Sequence, residues 1–301
     1  MDLEAVRMFV KVAELQSFTR AAEQLGASKA RVSLRLSQLE AEVGTRLLQR
    51  TTRMVRMTED GLQLFERGKR LLSDADELQT MFQQAPSALR GRVRLDLPVA
   101  LARDTVIPRL PELLAAHPQL ELSLSTTDRR VDLLQEGFDC VLRVGALRDS
   151  HLMVRRLGAL EMVNCASPAY LLKHGTPRTL ADLADHLLVA YSPSLNPLHA
   201  EFEYREGKGY RTLPMRAAIV VNSTDAYNAA CLAGLGIIQA PRYGKTRALA
   251  EGRVVELLRD FPSEPMPVSL LYGPSRSVPR RVRAVMAWLA QTLAPLLSDQ
   301  L

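Results

Sequence analysis

The stretch SFTRAAEQLGASKARVSLRLSQLE at residues 17–40 decides the fold of the first part of this chain. Ser17 or Thr19 can cap a short helix, and Gly26 supplies the left-handed residue that ends it. Ser28 can then cap a further helix that runs to about the end of the stretch. Two brief helices joined by so short a turn are typical of a helix-turn-helix.

A helical wheel divides the second of these helices into two faces. The stripe predicted to be buried consists of Val32, Leu36, Leu39 and Val43. The opposite face is small, with basic and hydroxyl residues at its edges, which suits a helix that enters the major groove of DNA. An earlier helix, capped by Asp2 and running to about Leu15, is predicted to have an apolar face made of Leu3, Val6, Phe9, Val10 and Ala13.

The segment RTTRMVRMT at residues 50–58 predicts a two-stranded wing that lies on the phosphate backbone of DNA. A solvated surface hairpin is the alternative, and the helices that precede the segment favour the wing. Arg31 is expected to contact a base edge, and Arg53 is expected to contact a phosphate. The residues predicted to contact DNA are Thr19, Ser28, Lys29, Ala30, Arg31, Ser33, Leu34, Arg35, Arg50 and Arg53.

Leu34 lies on the face that is predicted to enter the groove. A leucine cannot hydrogen-bond a base edge, but it can contact the methyl group of a thymine. This predicts a preference for T-rich DNA beneath Leu34. Packing of Leu34 against a neighbouring side chain is the alternative.

The positive charge of the chain is concentrated near its start. The 301 residues carry 39 Lys or Arg against 33 Asp or Glu, a formal net charge of +6. Residues 1–58 hold ten of these bases and six of the acids, so a fifth of the chain holds two thirds of the surplus. A basic module favours a polyanionic partner. Nucleic acid fits better than a membrane, because no run is apolar enough for a membrane span or a signal peptide.

A long helix capped by Thr58 is predicted over residues 59–84. Apolar and small residues recur in it at alternating spacings of four and three, which is the a/d pattern of a helix that packs along another helix. The residues of this seam are Leu64, Gly68, Leu71, Ala75, Leu78 and Phe82. The seam can pack within one subunit, but we expect a homodimer. Two helix-turn-helix units related by a two-fold axis would read an interrupted inverted repeat.

From residue 92 onward the pattern changes to alternating strands and helices, which predicts mainly parallel sheets covered by helices. Helices are predicted at 101–116, 223–233 and 280–297. Strands are predicted at 93–97, 120–125, 140–144, 162–166, 187–191, 217–221, 236–240 and 268–272. So long an α/β region implies two lobes.

Taken together, these segments resemble the LysR-type transcriptional regulators. The matching segments are SFTRAAEQLGAS at 17–28, VS at 32–33, LE at 39–40, VG at 43–44, LLQRTTR at 47–53 and MTEDG at 57–61. Leu34 stands where the family usually has a polar or basic residue, and Leu48 stands where it usually has phenylalanine. The resemblance implies a winged helix-turn-helix over 1–58, a linker helix over 59–84, a hinge over 85–91 and an effector-binding domain over 92–301.

The resemblance also implies the architecture and the ligands of the larger domain. Two α/β lobes like those of type 2 periplasmic binding proteins are expected, lobe 1 at about 92–163 and 267–301 and lobe 2 at about 164–266. A small-molecule effector between the lobes would change their angle and thereby the spacing of the winged modules. Homotetramers built from two dimers, contact with RNA polymerase and a cytoplasmic location are further expectations. No cofactor is expected.

Ligands of open α/β sheets bind beyond the carboxyl ends of strands, where helix N-termini present free N–H groups. Three loops, at 98–101, 143–145 and 222–224, fit this description. The residues predicted to bind the effector are Val99, Ala100, Leu101, Arg143, Ser192, Asn222, Ser223 and Thr224. In the family the first loop often carries Ser or Thr for a ligand carboxylate, whereas Val99 and Ala100 offer only backbone. A helix cap at Ser223 and an ion pair at Arg143 are the structural alternatives.

Enzymatic and metal chemistry find little support in the sequence. No P-loop, dinucleotide-binding or nucleophile-elbow motif is present, and the histidines show neither metal-ligand nor triad spacing. These histidines are His117, His151, His174, His186 and His199. Cys140, Cys165 and Cys231 are widely spaced in apolar surroundings, as reduced core thiols are, so no metal site is predicted. A small-molecule α/β enzyme and a solute-binding protein are the alternatives to a DNA-binding regulator.

Overall fold

A computed structural model of the protein describes residues 2–50, 55–80, 89–133, 135–147, 151–192, 195, 200–273 and 278–298. The chain forms two compact units, Met1–Ser87 and Ala88–Leu301, and each has a hydrophobic core of its own. In the described part of the chain, none of the helices has both the length and the apolar character that a membrane crossing requires.

The described residues of the first unit form helices and one hairpin. In chain order they are α1 (Leu3–Leu15), α2 (Phe18–Gln24), α3 (Lys29–Val43), β1 (Leu48–Arg50), β2 (Val55–Met57) and α4 (Glu59–Thr80). Asp2, Ser17 and Ser28 begin the first three helices, because the side-chain oxygen of each accepts a hydrogen bond from a backbone N–H of the first turn. The caps predicted at Asp2 and Ser28 are confirmed, and Ser17 rather than Thr19 caps α2.

Helix α3 is longer than predicted, and its buried stripe is shorter. The helix continues to Val43 because Gly44, with a φ of 74°, is the residue that takes the left-handed conformation and ends it. The buried residues of the stripe are Val32, Leu36 and Leu39. Val43 lies in the last turn and is exposed, so its predicted burial is wrong. Leu3, the first residue of α1, is also exposed rather than buried.

Helix α4 packs against α1 within the same unit. A Cβ atom on Gly68 would lie 3.0 Å from Val6 Cγ1 and 3.3 Å from Val10 Cγ2, so the glycine allows the two helices to approach closely. Leu64 packs against the same core. The first two residues of the predicted seam therefore serve packing inside the subunit, and Leu64 is reassigned from the dimer contact to this core.

The later seam residues differ from the first two. Leu71 is 40% exposed and Ala75 is half-buried, so both retain surface that a second chain can cover. Leu72, between them, is buried against the core of the unit. The side chain of Leu78 and the whole of Phe82 lie outside the described residues.

The second unit is an α/β domain. Its helices are α5 (Val99–Leu101), α6 (Ile107–Ala116), α7 (Pro168–His174), α8 (Thr224–Leu232), α9 (Thr246–Ala250) and α10 (Arg280–Leu293). Its strands are β3 (Arg90–Leu97), β4 (Gln119–Thr126), β5 (Cys140–Val144), β6 (Met153–Leu160), β7 (Met162–Ala166), β8 (Leu187–Tyr191), β9 (Ala200–Glu206), β10 (Gly209–Val221), β11 (Ile238–Pro241), β12 (Val255–Leu257) and β13 (Met266–Tyr272). Every predicted strand is present, whereas β6, β9 and β12 were not predicted. A π-helical segment, Ala102–Val106, interrupts the helix predicted at 101–116.

The sheets of this domain are mixed, so the prediction of mainly parallel sheets is wrong. β3 is parallel to β4 and β5, and β8 is parallel to β10. In contrast, β13 is antiparallel to β5 and β6, β9 is antiparallel to β10, and β7 is antiparallel to β11 and β12. The order in which the chain visits the strands explains these directions. β9 and β10 are joined by a tight turn, which makes them antiparallel, and the chain reaches β13 only after it has left this sheet to form β7–β12.

The strands are divided between two lobes. Lobe 1 contains the sheet β4-β3-β5-β13-β6, and lobe 2 contains the sheets β8-β10-β9 and β11-β7-β12. The two sheets of lobe 2 are joined at Ile237, whose N–H donates to the Leu187 carbonyl at 2.8 Å and whose carbonyl accepts from the Val189 N–H at 3.0 Å. The chain passes from lobe 1 to lobe 2 at Glu161 and returns between β12 and β13.

Candidate functional site

The outward face of α3 carries most of the residues that were predicted to contact DNA. Lys29, Ala30, Arg31 and Leu34 are exposed, and Ser33 and Arg35 are half-buried. Ser28 caps the helix through a 3.2 Å hydrogen bond from the Arg31 N–H, and Thr19 is exposed in the first turn of α2. Leu34 is 60% exposed, which contradicts the alternative that it packs against a neighbour.

The wing is held beside α3 by a residue that the sequence analysis missed. Glu40 Oε1 accepts hydrogen bonds from the N–H groups of Leu47 at 2.9 Å and Leu48 at 3.1 Å, and thereby fixes the start of β1. Thr58 Oγ1 donates to the Arg46 carbonyl at 2.7 Å and accepts from the Gly61 N–H at 2.9 Å, so the same residue caps α4 as predicted. The signal available in the sequence was the glutamate of the LE pair at 39–40.

Two arginines of α3 are paired with carboxylates from the start of α1. Arg31 Nη2 lies 2.8 Å from Glu4 Oε1, and Arg35 Nη1 lies 3.6 Å from Asp2 Oδ2. The four side chains are each 39–57% accessible to solvent, so these ion pairs are weak and the arginines can exchange their partners for other anions. Arg50 ends β1, and Arg53 lies outside the described residues.

The second unit contains a cavity of about 530 Å³ between its lobes. Lobe 1 contributes Gly145 and Ala146 in the loop after β5, lobe 2 contributes β8 and β9, and the returning segment before β13 closes one side. The polar side chains at its wall are Tyr191, Ser192, Glu201, Glu203, Tyr227, Gln239, Ser263 and Glu264. A volume of this size is typical of small-molecule sites.

Hydrogen bonds fix the polar side of this cavity. Gln239 Nε2 donates to Asn164 Oδ1 at 2.8 Å and to the Glu203 carbonyl at 2.7 Å, while Gln239 Oε1 accepts from the Glu203 N–H at 2.8 Å. The rings of Tyr191 and Tyr227 meet edge to face at 5.8 Å. Burial raises the pKa of Tyr191 to about 12, so its phenol is neutral at physiological pH.

Asp128 connects the two lobes at one point. It follows β4, and its Oδ1 accepts from the Val99 N–H at 3.2 Å at the start of α5. Its Oδ2 accepts from the Thr224 N–H at 2.7 Å and from Thr224 Oγ1 at 2.9 Å at the start of α8. Nearby, Arg103 Nη1 lies 2.6 Å from Asp225 Oδ1 and forms a second contact between the lobes.

Two models of known protein families match the chain. The model described as the LysR substrate binding domain matches residues 86–294. The model described as a bacterial regulatory helix-turn-helix protein of the lysR family matches residues 3–62. The chain belongs to the LysR family of transcriptional regulators. This LysR-type regulator therefore combines an N-terminal helix-turn-helix domain with a two-lobed effector-binding domain.

The regulator is similar to known proteins over almost its whole length. It is 44% identical to YhjC of Escherichia coli K12, an uncharacterized HTH-type transcriptional regulator, over 96% of each chain. It is 33% identical to the HTH-type transcriptional activator AaeR of the same organism, over 94% of this chain and 91% of the relative. CrgA, a LysR-type transcriptional regulator from Neisseria meningitidis, has a similar structure, with a TM-score of 0.60 and 29% identity over 97% of this chain and 99% of CrgA. The family comprises transcriptional regulators rather than enzymes.

The effector residues predicted for the regulator do not converge on the cavity. Of that set only Ser192 lines it, and the other side chains have structural partners or lie elsewhere. Ser223 caps α8 through a 3.2 Å bond from the Ala226 N–H, and Arg143 forms a 2.7 Å ion pair with the fully buried Asp96. Leu101 is in the lobe 1 core, and Asn222 is exposed.

Two of the N–H groups predicted to bind the effector already have a partner within the protein. The N–H groups of Val99 and Thr224 were proposed to bind an effector, with Ala100 beside them, and the Asp128 carboxylate already accepts from both. Asp128 is 96 residues from Thr224 in sequence, so no local pattern indicates the contact. Of the residues predicted to bind the effector, Ser192 is the one that lines the cavity.

The pairing of Arg31 with Glu4 yields a testable expectation. Glu4→Gln is expected to strengthen DNA binding about two- to fivefold, because Arg31 no longer has to exchange a carboxylate for a DNA group and exposed pairs of this kind contribute up to about 1 kcal/mol. The dissociation constant can be measured by fluorescence anisotropy on one duplex at two salt concentrations.

Glu14→Gln is the matched control for Glu4→Gln. Glu14 lies near the other end of α1, and its carboxylate pairs with Lys11 and Lys69 rather than with α3. Both variants remove one negative charge from the same helix. An equal gain in affinity from the two would show that net charge alone is responsible and would contradict a specific role for Glu4.

Proposed function

We propose that this regulator binds an interrupted inverted repeat in promoter DNA as a homodimer and that an effector in the cavity between its lobes modulates this binding. The outward face of α3 is the observation that supports the DNA-binding part. A helix that buries one stripe and exposes small and basic residues fits the major groove, with the wing on the adjacent backbone. The proposed DNA contacts are Thr19, Ser28, Lys29, Ala30, Arg31, Ser33, Leu34, Arg35, Arg50 and Arg53.

The proposed dimer forms through the later part of the linker helix. Its contacts are Leu71, Ala75, Leu78 and Phe82, and the exposure of Leu71 supports this assignment. Two such dimers would form a tetramer that spans neighbouring sites. Contact with RNA polymerase and action in the cytoplasm, where bacterial promoters are found, belong to the same proposal.

In the proposed domain organisation, residues 1–58 bind DNA, 59–84 form the linker helix, 85–91 form the hinge and 92–301 bind the effector. Lobe 1 comprises about 92–163 and 267–301, and lobe 2 comprises about 164–266. The cavity lined by Ser192, Tyr191, Tyr227 and Gln239 supports an effector site between them. Effector occupancy would change the angle between the lobes and thereby the spacing of the two winged modules.

Binding-site selection followed by a mobility-shift assay tests the DNA-binding proposal. The full-length regulator is expected to enrich two half-sites in inverted orientation, with thymine beneath Leu34. Leu34→Ala should keep the repeat but reduce the thymine preference about fivefold, because a buried methyl contact contributes about 1 kcal/mol.

Leu172→Ala is the control for this selection experiment, because Leu172 is 92% exposed and lies on α7 in the other unit. It should leave the selected sequence unchanged. Enrichment of single half-sites would refute the dimer, and an unchanged thymine frequency with Leu34→Ala would refute the methyl contact. Failure to retard any duplex would refute the proposed DNA-binding face.

A further inference from the structure

We infer that the effector of this regulator is an organic cation, an amine on an apolar or aromatic body, and that Glu203 binds its positive charge. The inference rests on the proposed role of the cavity between the lobes as the effector site. It specifies the chemical class of ligand, which neither the family nor the fold determines.

The charges at the wall of the cavity carry this inference. Three carboxylates, those of Glu201, Glu203 and Glu264, line it. No Lys, Arg or His is among the described residues at the wall, and none of the three glutamates forms an ion pair within the described part of the chain. A ligand that brings a further carboxylate into this space would be repelled, whereas a cation would supply the missing counter-charge.

Glu203 is the least exposed of these three glutamates. It is half-buried on β9, and its Oε2 accepts a hydrogen bond from the Glu264 N–H at 3.0 Å. Burial raises the pKa of the Glu203 carboxyl, as is expected for an acid without a nearby cation. Its backbone is fixed on Gln239 by two hydrogen bonds, so the carboxyl is attached to a rigid part of lobe 2. A bound ammonium group would offset the free-energy cost of removing this carboxylate from water.

The two helix-start N–H groups that the sequence predicted to bind a ligand already have an anionic partner. The Thr224 N–H begins α8, a nine-residue helix whose N-terminus favours a negative charge. The Asp128 carboxylate accepts from this N–H and from the Val99 N–H. Arg143, the positive side chain among the residues predicted to bind the effector, is paired with Asp96. A carboxylate effector would have to displace the Asp128 carboxylate to reach these two N–H groups.

The rest of the wall suits the body of an amine. Apolar side chains line most of the cavity, among them Met162, Leu188 and Val220. The Tyr191 and Tyr227 rings lie at the same wall, and aromatic faces attract cations. Both phenols are kept neutral by burial, so they add hydrogen-bonding groups without adding charge.

Matched ligands test the inference on the full-length regulator. Alkyl and arylalkyl amines, each paired with the alcohol and the carboxylate of the same carbon skeleton, are added and the thermal midpoint is followed; benzylamine, benzyl alcohol and benzoate form one such set. Amines are expected to raise the midpoint and carboxylates to leave it unchanged. Isothermal titration with the best amine is expected to show binding about tenfold weaker in Glu203→Gln.

Glu206→Gln is the matched control, because Glu206 lies on the same strand, pairs with Arg211 and does not line the cavity. It should bind the amine as the parent protein does. Equal weakening in both variants would overturn the role of Glu203. The absence of an amine response throughout the series, or a larger response to the carboxylates, would overturn the inference.

A cavity-filling variant separates this inference from the proposed function. Ala190 lines the cavity, and Ala190→Trp should remove the response to every ligand. If carboxylates bind and Ala190→Trp abolishes their binding, the cavity is the effector site and only the ligand class is wrong. If a ligand alters the DNA mobility shift equally in the parent and in Ala190→Trp, the effector binds elsewhere and the proposed function of the cavity is refuted as well.

Discussion

Replacement of Gly61 by alanine is expected to abolish DNA binding while the effector-binding domain remains folded. A Cβ atom at this position would lie 2.0 Å from the Leu47 carbonyl oxygen and 2.9 Å from its carbon. Both are backbone atoms at the base of the wing, so no side-chain rotation relieves the clash. The start of α4 would have to separate from the start of β1, and the wing would lose its place beside α3.

The cost of this separation is large because several hydrogen bonds cross the same point. The Thr58 N–H donates to the Leu47 carbonyl at 3.0 Å, and Thr58 Oγ1 donates to the Arg46 carbonyl. We expect the free energy of unfolding of the first unit to fall by about 3 kcal/mol. Affinity for the selected duplex, measured by fluorescence anisotropy, should fall beyond the measurable range.

Gly244→Ala is the control for Gly61→Ala. No atom lies within 4 Å of a Cβ on Gly244, which belongs to the effector-binding domain, so this variant should bind DNA normally. Circular dichroism should show that both variants retain their α/β content. Unimpaired DNA binding by Gly61→Ala would show that the wing does not need its observed position.

Asp128→Ala is expected to convert the contact between the lobes into an anion site. The variant loses three hydrogen bonds to one carboxylate, and two of their donors are backbone N–H groups. We expect the free energy of unfolding of the domain to fall by about 3 kcal/mol, because bonds to charged acceptors are strong and the freed donors remain half-buried. Added acetate should restore part of this loss by occupying the position of the missing carboxylate.

The acetate response distinguishes this mechanism from general destabilisation. The thermal midpoint is measured in acetate and in chloride at equal ionic strength, and only Asp128→Ala should prefer acetate. Asp128→Asn is the matched variant, because it keeps one acceptor oxygen at nearly the same volume and should fall between the parent protein and Asp128→Ala. Identical midpoints in the two salts for Asp128→Ala would contradict the proposed role of the carboxylate.

Local chemistry made the helix starts of this protein predictable. Asp2, Ser28 and Thr58 begin helices because their side chains hydrogen-bond N–H groups only two or three residues away. The end of α3 was misjudged by three residues because Gly44 was not recognised as the stop, although its type and position provide the signal. Helix starts and ends of this kind depend only on residues that are close in the sequence.

The strands that were not predicted were missed for different reasons. β9 carries Ala200, Phe202 and Tyr204 in strict alternation, so the sequence did contain a signal for it. β6 includes two consecutive arginines, and its exposed first half shows no period of two. The parallel or antiparallel direction of the sheets depends on the passage of the chain between lobes, which no short segment encodes.

The cavity between the lobes was the least predictable feature. Its wall combines residues from β8, β9, α8, the loop after β5 and the segment before β13, which are brought together only by the folded topology. Helix starts bind anions, and the N–H of Thr224 at the start of α8 does contact one, the Asp128 carboxylate of the protein itself. Asp128 is 96 residues away in sequence, so a local rule indicates the chemistry of this position but not the partner.

The glycine contact between α4 and α1 has a mechanical consequence. At Gly68 the two helix backbones approach so closely that α4 cannot rotate about its own axis without moving Val6 and Val10. The same α1 carries, two residues before Val6, the Glu4 carboxylate that pairs with Arg31. Rotation of α4 would therefore shift α1 and with it Glu4, the residue that pairs with Arg31. Rotation of the linker helix α4 would in this way change how readily Arg31 on α3 can contact DNA, while the fold of the DNA-binding unit stays the same.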